Sequence, residues 1–385
     1  MSISVSSLMP SAVDESTAVD GVFERVPSDL VEALERVVDP RARRGVRHRF
    51  GTILAIGVCA VLAGARSFTS IGEWAEDLTP TVRRRLGLGR RVPCESTIRR
   101  ALQRVDAVGL DRVVSAWLAA RITTGQTLPV IAIDGKTARG ARSGDERAVH
   151  LLAAFEAGSG VVLGQSEVDG KTNEITAFAP LLDRVTITGA IVTADALHTQ
   201  RAHADYLIGR GAHYLLTVKG NQPSLLAQLR RLPWADVPVA DHTSGKGHGR
   251  VESRTLKMTS IDAGIGFPHA RLAIQITRRR RPRAHRKWRT EKVYAITDLT
   301  HGQADAAQLA DALRAHWGIE NRLHWIRDVV FAEDLSQIRT GNGPAVMATL
   351  RNLAVSLHRL TGATNIAAAC RRVGRHPNRV LPLLR

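Results

Sequence analysis

A chain of 385 residues is long enough for a sizeable core and for two or three domains, and 44% hydrophobic with 23% charged residues excludes both wholesale disorder and a membrane protein. Its 54 basic residues against 36 acidic ones leave a net charge of +18, more than solubility needs, which points to a polyanionic partner with nucleic acid as the first candidate. The three cysteines, Cys59, Cys94 and Cys370, lie far apart, so neither a disulfide framework nor a zinc cluster is indicated and a reducing compartment fits best.

Residues 1–26 lack the basic start and continuous apolar core of a signal peptide and read as a disordered tail. From 27 to 125 the apolar spacing is helical, through PSDLVEALERVV, SFTSIGEWAEDLTPTVRRRLGL and STIRRALQRV, and this stretch is expected to form a helical DNA-binding domain. The apolar run TILAIGVCAVLAGA (52–65) has 14 residues, short of the roughly 17 to 25 that span a bilayer, so a buried helix is expected and no membrane partner. Arginines crowd RARRGVRHR (41–49) and RRRLGLGRR (83–91). Ser96 and Thr97 are expected to cap a short helix that turns Ile98, Leu102 and Val105 inward and carries Arg99, Arg100 and Arg104. That helix reads DNA or shows water an arginine-rich face; the charge of the region favours DNA.

After residue 128 the rhythm changes. PVIAID, AVHLLAAFE and VVLGQSEV read as three successive strands, followed by helix NEITAFAPLLDRV, strand AIVTAD, helix TQRAHADYLIGRG, strand HYLLTVK and helix QPSLLAQLRRL. The order βββαβαβα implies a mixed sheet covered on both faces, the arrangement of a ribonuclease H-like core. Residues 233–297 interrupt it with strand-like stretches RVESRTLKM, RLAIQITRR and KVYAITDL, read as a β-rich insertion. It holds RRRRPRAHRKWR (278–289), with eight basic residues in twelve, Arg279 and Arg280 among them. Helical spacing returns in ADAAQLADALRAHWGIENRLHWIRDVV, and the stretch 356–385, with Arg371, Arg372, Arg375 and Arg379, reads as a basic tail that touches DNA or is solvated.

Three acids stand out. Asp134 ends PVIAID and Asp195, 61 residues further on, ends IVTAD, so two carboxylates are expected at adjacent strand ends, with Glu320 brought beside them by a helix. A single aspartate at a strand end is more often a turn or helix cap; the joint pattern in a basic surround favours a metal site. Hard cations such as Mg²⁺ are held by a few carboxylates, and a pair of them about 3.5 to 4 Å apart activates an attacking oxygen and stabilises a leaving one at phosphorus.

The segments DLVEALERVVDPRARRGVRHRFGTILAIGVCAVLAGARSFTSIGEWA, IAIDGKTARGA, KTNEITAFAPLL, TADALHTQ, YLLTVKGNQPSL, HGRVESR and HWGIENRLHWIRDVVFAED, spanning about 29–355, resemble bacterial insertion-sequence transposases of the DDE class, of the ISAs type and related to the H-repeat-associated proteins of Rhs elements. The resemblance implies an α/β catalytic domain over 126–355, RNase H-like with a β-rich insertion before the third acid, preceded by an all-helical domain. It further implies that Asp134, Asp195 and Glu320 are the catalytic, metal-binding triad, that Mg²⁺ or Mn²⁺ is the cofactor, and that the partner is double-stranded DNA, both the element's terminal inverted repeats and the target. A homodimer or larger assembly on DNA, in the bacterial cytoplasm at the nucleoid, follows from the same likeness. A catalytically inactive DNA-binding descendant and a nuclease that cuts without joining are the competing readings.

The wider signature of such enzymes has a tyrosine, an arginine and a lysine around the glutamate, at positions that are Leu313, His316 and Arg327 here, so only Arg327 keeps the charge. It is expected either to grip a phosphate or to pair with Asp328 or Glu333. Lys136, Arg139, Lys219, Asn221 and Gln222 are candidates for substrate phosphates or ordinary strand-end polar residues. Trp288 among the arginines is a candidate for stacking on an unpaired base, whereas Trp317 and Trp325 are expected in the core. His316 and His324 lack a cysteine or third histidine at zinc spacing.

Overall fold

The computed structural model describes residues 27–122, 128–142, 148–170, 172–247, 249–261, 264–282 and 287–385. The expected N-terminal tail, 1–26, and residues 283–286 of the basic run lie outside them. Six helices come first: α1 (Leu30–Glu35), α2 (Phe50–Leu62), α3 (Phe68–Glu76), α4 (Pro80–Arg85), α5 (Glu95–Arg104) and α6 (Ala107–Ala119). Asp29 caps α1 by accepting from the Val31 and Glu32 amides, and Ser67 and Ser70 form a reciprocal cap on α3. All 13 residues of α2 are buried, as a helix apolar on every side requires, and no helix among the described residues is long and apolar enough to cross a membrane. The start of α5 departs from expectation. The helix begins at Glu95 after Cys94, which gives no side-chain cap, so Ser96 and Thr97 sit inside its first turn.

The strands and helices then run β1 (Val130–Thr137), β2 (His150–Glu156), β3 (Val161–Glu167), α7 (Glu174–Leu182), β4 (Ile191–Ala194), α8 (Arg201–Gly209), β5 (His213–Val218) and α9 (Pro223–Arg231), which is the order the sequence pattern predicts. Four strands follow: β6 (Asp241–Gly247), β7 (Arg250–Ser260), β8 (Leu272–Pro282) and β9 (Arg289–Thr297). The sequence pattern predicts three of these. The fourth, β6, reads DHTSGKG, a polar and glycine-containing edge strand with no apolar alternation to betray it.

These later strands extend the first sheet. β9 pairs antiparallel with β5, from Leu215 opposite Thr297 to Val218 opposite Tyr294, giving one mixed sheet of nine strands among the described residues, in the order β3-β2-β1-β4-β5-β9-β8-β7-β6. Among the described residues only the β1–β4 and β4–β5 pairs are parallel.

The chain closes with α10 (Ala306–Ile319), a π-helical turn at Glu320–His324, α11 (Trp325–Val329), α12 (Gly343–Leu360) and α13 (Ile366–Arg375). α10 lies across β1, β4 and β5. α12, buried from Gly343 to His358, packs on α2, α5 and α6 on one side and β3 on another, so the helical N-terminal region and the sheet share one apolar core. The basic C-terminal stretch is folded as well: α13 packs on α2, the 3-10 turns Pro377–Leu384 pack on α4, and Val380 and Leu384 are fully buried.

Candidate metal and active site

The parallel register between β1 and β4 runs from Val130 opposite Ile191 to Ile133 opposite Ala194. Asp134 and Asp195 are the next residue on each strand, so two acids distant in sequence stand side by side. β1 does not end at Asp134; it continues along β2 to Thr137, because β2 offers partners as far as His150. Asp195 does leave its strand, and its side chain accepts from the Leu197 amide at 2.8 Å, capping the 3-10 turn Ala196–His198. Asn221 Nδ2 braces that turn by donating to the Ala196 carbonyl at 2.5 Å.

The third acid arrives on α10. Where α10 ends, the backbone widens so that the Trp325 amide donates to the Glu320 carbonyl, and Glu320 and His324 occupy the two ends of one π-helical turn. Such turns are rare and are frequent at functional sites. His324 is 3% exposed, with Nδ1 at 3.2 Å from Glu320 Oε2 and 3.5 Å from Asp134 Oδ2. Ligand atoms of Asp134, Glu320 and His324 all lie within 4.8 Å of one another. Asp195 is outside that close set but lines the same cavity, about 1070 Å³, together with Asp134 and Glu320.

Burial pushes the Asp134 carboxyl up to about 6, with the His324 charge and the Gly135 amide opposing and Glu174 and Glu320 adding to the rise. The hydrogen bond from His324 holds Glu320 below its ordinary value. Behind Asp134, Glu174 accepts from His150 Nε2 at 2.8 Å and His198 Nε2 at 3.1 Å. Burial would raise Glu174, but these two bonds carry it down to about 2. A side chain at 135 would crowd the Glu174–His150 pair, since a Cβ there would stand 2.6 Å from Glu174 Cδ and 2.7 Å from His150 Nε2. On α10, burial drives His316 down to about 4, against the pull of Asp195.

The cavity is also lined by Arg250, Arg254, Arg278, Arg279, Arg280 and Arg289 from β7, β8 and β9 and by Lys219 beyond β5, an excess of positive charge over Asp241 of β6, Glu252 of β7 and Glu291 of β9; Glu252 pairs with Arg250 and Arg254. Residues 125–357 of this chain match the transposase DDE domain, and residues 31–118 match the DDE_Tnp_1-associated region. The chain belongs to the DDE transposase family. It is 30% identical over 351 residues to "Putative transposase YncI" of Escherichia coli O157:H7, covering 86% of this chain and 87% of that one. It is 31% identical over 344 residues to "H repeat-associated putative transposase YhhI" of Escherichia coli strain K12, covering 85% and 89%. A solved piggyBac transposase synaptic complex with hairpin DNA gives a TM-score of 0.42 at 10% identity, over 92% of this chain and 77% of that one. Family membership rests on the sequence matches.

In this transposase several of the residues expected to meet a phosphate are exposed. Arg99, Arg100 and Arg104 project from α5 while Ile98, Leu102 and Val105 are buried, as the spacing predicts. Arg139 is open, with a side chain 80% exposed and 3.9 Å from Asp334. Lys219, Arg279 and Arg280 are exposed at the cavity. Trp288 is half-buried with the Arg279 and Arg281 guanidinium groups 5.1 and 5.2 Å from its ring centroid, which leaves the indole already engaged by cations.

Other expectations are corrected. Arg327 is fully buried and grips Glu333 through two bonds of 2.5 Å, with Gln165 and Asn352 oxygens at 3.4 Å, so no phosphate reaches it. Lys136 is 9% exposed with Nζ 2.7 Å from Asp328 Oδ2 on α11 and 3.7 Å from Asp334 Oδ1 after it, so its charge is already paired inside the protein. Asn221 and Gln222 donate to the carbonyls of Ala196 and Thr199 and hold the loop after Asp195. Trp317 and Trp325 are each 55% exposed, not core, since the π-helical turn and the cavity leave that helical face uncovered; Trp317 lies on the cavity wall beneath Arg278. The residue that sequence reasoning misses is His324. Its spacing to other histidines and cysteines speaks only to zinc, and the one signal for a place at the acids is its position four residues after Glu320 on a helix.

Proposed function

We propose that the protein binds the terminal inverted repeats of its own element as a dimer or larger assembly, hydrolyses phosphodiesters there to free 3′-hydroxyls, and transfers those ends into target DNA in the bacterial cytoplasm. The observation that carries this is that Asp134, Asp195 and Glu320 line one cavity together with six arginines of β7, β8 and β9. The βββαβαβα order supports an RNase H-like catalytic core, with β6–β9 as its insertion and α1–α6 as the DNA-binding region.

The donor set suits hard divalent cations. Carboxylate oxygens from within β1, from just past the end of β4 and from the π-helical turn line an open cavity, the combination by which Mg²⁺ or Mn²⁺ is held while positions stay free for water and phosphate. Bound there, such ions supply Lewis-acid polarisation of the phosphate and a lowered pKa for the attacking oxygen. Asp134, Asp195 and Glu320 would hold them. The arginines of β7 and β8 neutralise the backbone opposite and fix its register, Asn221 keeps the Asp195 turn in place, and the exposed arginines of α5 hold flanking duplex.

Incubating the native protein with labelled element ends and target DNA in Mg²⁺ tests the reading. Cleavage and joined product are expected, both lost in Asp134→Asn, Asp195→Asn and Glu320→Gln. Cleavage without joining would make the protein a nuclease, and no cleavage would leave a DNA-binding descendant.

A further inference from the structure

His324 takes no part in the acidic triad, yet its ring is buried deepest against it. Among the described residues the ring's Nδ1 is hydrogen-bonded to Glu320 Oε2 at 3.2 Å and lies 3.5 Å from Asp134 Oδ2, while Nε2 is buried without a hydrogen-bond partner. Neighbouring ligands of an octahedral ion with bonds of about 2.1 Å stand roughly 3 Å apart, so the two spacings from His324 are close to those of neighbouring ligands of one cation, and the three ligand atoms all lie within 4.8 Å of one another. The carboxylate of Asp195 is drawn to the Leu197 amide and is not in this close set.

We infer that His324 is a ligand, through Nδ1, of the cation shared by Asp134 and Glu320, which makes that position a mixed nitrogen and oxygen site that takes Mn²⁺ in preference to Mg²⁺. The inference rests on the metal-dependent reading above. Mg²⁺ selects oxygen donors and strict geometry, whereas imidazole nitrogen suits first-row transition ions. The π-helical turn brings the Glu320 carboxylate and the His324 ring to 3.2 Å from each other directly after α10, which packs on β1. The rival role for His324 is a protonated counter-ion lodged between two carboxylates, with no bond to metal.

Pulsed EPR of the full-length protein loaded with Mn²⁺ separates the two. A ¹⁴N coupling from a bound imidazole is expected in the native chain and in His316→Ala, and its loss is expected in His324→Ala and in the milder His324→Gln. Calorimetric titration should show Mn²⁺ affinity falling on the order of tenfold or more in the His324 variants, with a clearly smaller change for Mg²⁺. Absence of ¹⁴N coupling in the native chain overturns the assignment even if a His324 variant does not fold, as does coupling that survives in both His324 variants. Asp134→Asn should abolish this binding. If Asp134→Asn binds Mn²⁺ as the native chain does, the metal site itself is overturned along with the ligand; if only the ¹⁴N coupling is missing, the acidic site stands without His324.

Discussion

Replacing Glu333 with Gln tests the most heavily buried charges in the molecule. Glu333 is 1% exposed and faces Arg327, fully buried, through two bonds of 2.5 Å, and Arg351, 2% exposed, at 3.7 Å. The substitution removes the one carboxylate bonded to Arg327 and leaves Arg351 only the more distant charge of Asp328, and breaking a buried pair in this way costs about 3–5 kcal/mol. Arg327→Met should cost less, because Glu333 keeps Arg351. Burial would raise the Glu333 carboxyl, but the charge and hydrogen bonds of Arg327, then the charge of Arg351, carry it from 4.5 down to about 2. A depressed carboxylate contributes stability that is complete above its unfolded pKa and is lost as pH falls through its folded one, so the native chain should lose this contribution between about pH 4.5 and 2, while Glu333→Gln should show none of that loss. Urea unfolding followed by tryptophan fluorescence at neutral pH measures the cost. Folded Arg327→Met should also keep the salt dependence of DNA binding, whereas removing an arginine that holds a phosphate lowers the log-log slope by about one. A Glu333→Gln protein within about 0.5 kcal/mol of native, or a reduced slope in Arg327→Met, would refute the buried-pair reasoning.

Gly135→Ala should destabilise the fold by about 1–3 kcal/mol, because its Cβ would meet the Glu174–His150 pair, and pairing it with His150→Ala should recover part of the loss; unchanged thermal stability in the single variant would show that the pair yields. Replacing Arg99, Arg100 and Arg104 together with Ala should leave stability nearly unchanged and reduce the salt slope of DNA binding by about one for each phosphate that these side chains neutralise; an unchanged slope would make α5 a merely solvated face. Trp317→Ala and Trp325→Ala should each cost well below the roughly 3–5 kcal/mol of a core tryptophan. Both rings are 55% exposed, and a destabilisation of core size in urea unfolding would contradict that exposure.

Periodicity carries the fold a long way. The all-apolar run of α2 can only be a buried helix, and the strand and helix alternation from β1 to α9 is readable from spacing alone, because each element buries one face or all of its surface. β6 is not, since an exposed edge strand of Asp, His, Ser and Gly is stabilised by pairing with β7 and leaves no apolar pattern. Two acids on adjacent strands are legible because a carboxylate after an apolar strand is a local signal. The fate of cations is not local. Arg327 and Lys136 are neutralised by Glu333 and Asp328, and whether such partners fold over the side chain or leave it in solvent is decided by packing of α11 and α12. His324 joins Asp134 across a distance in sequence that no spacing rule spans, through a backbone widening that helical periodicity does not register.

The central claim is that Asp134, Asp195 and Glu320 together cut and join DNA. The most direct measurement is strand transfer from a pre-cleaved, labelled element end bearing a free 3′-hydroxyl into plasmid DNA, with Mg²⁺ or Mn²⁺, by the native protein and by Asp195→Asn, the acid whose carboxylate also caps a turn. Joined product is expected from the native protein, none without the divalent ion, and none from a folded Asp195→Asn. Joining at native rate by Asp195→Asn, or in the presence of EDTA, would contradict it.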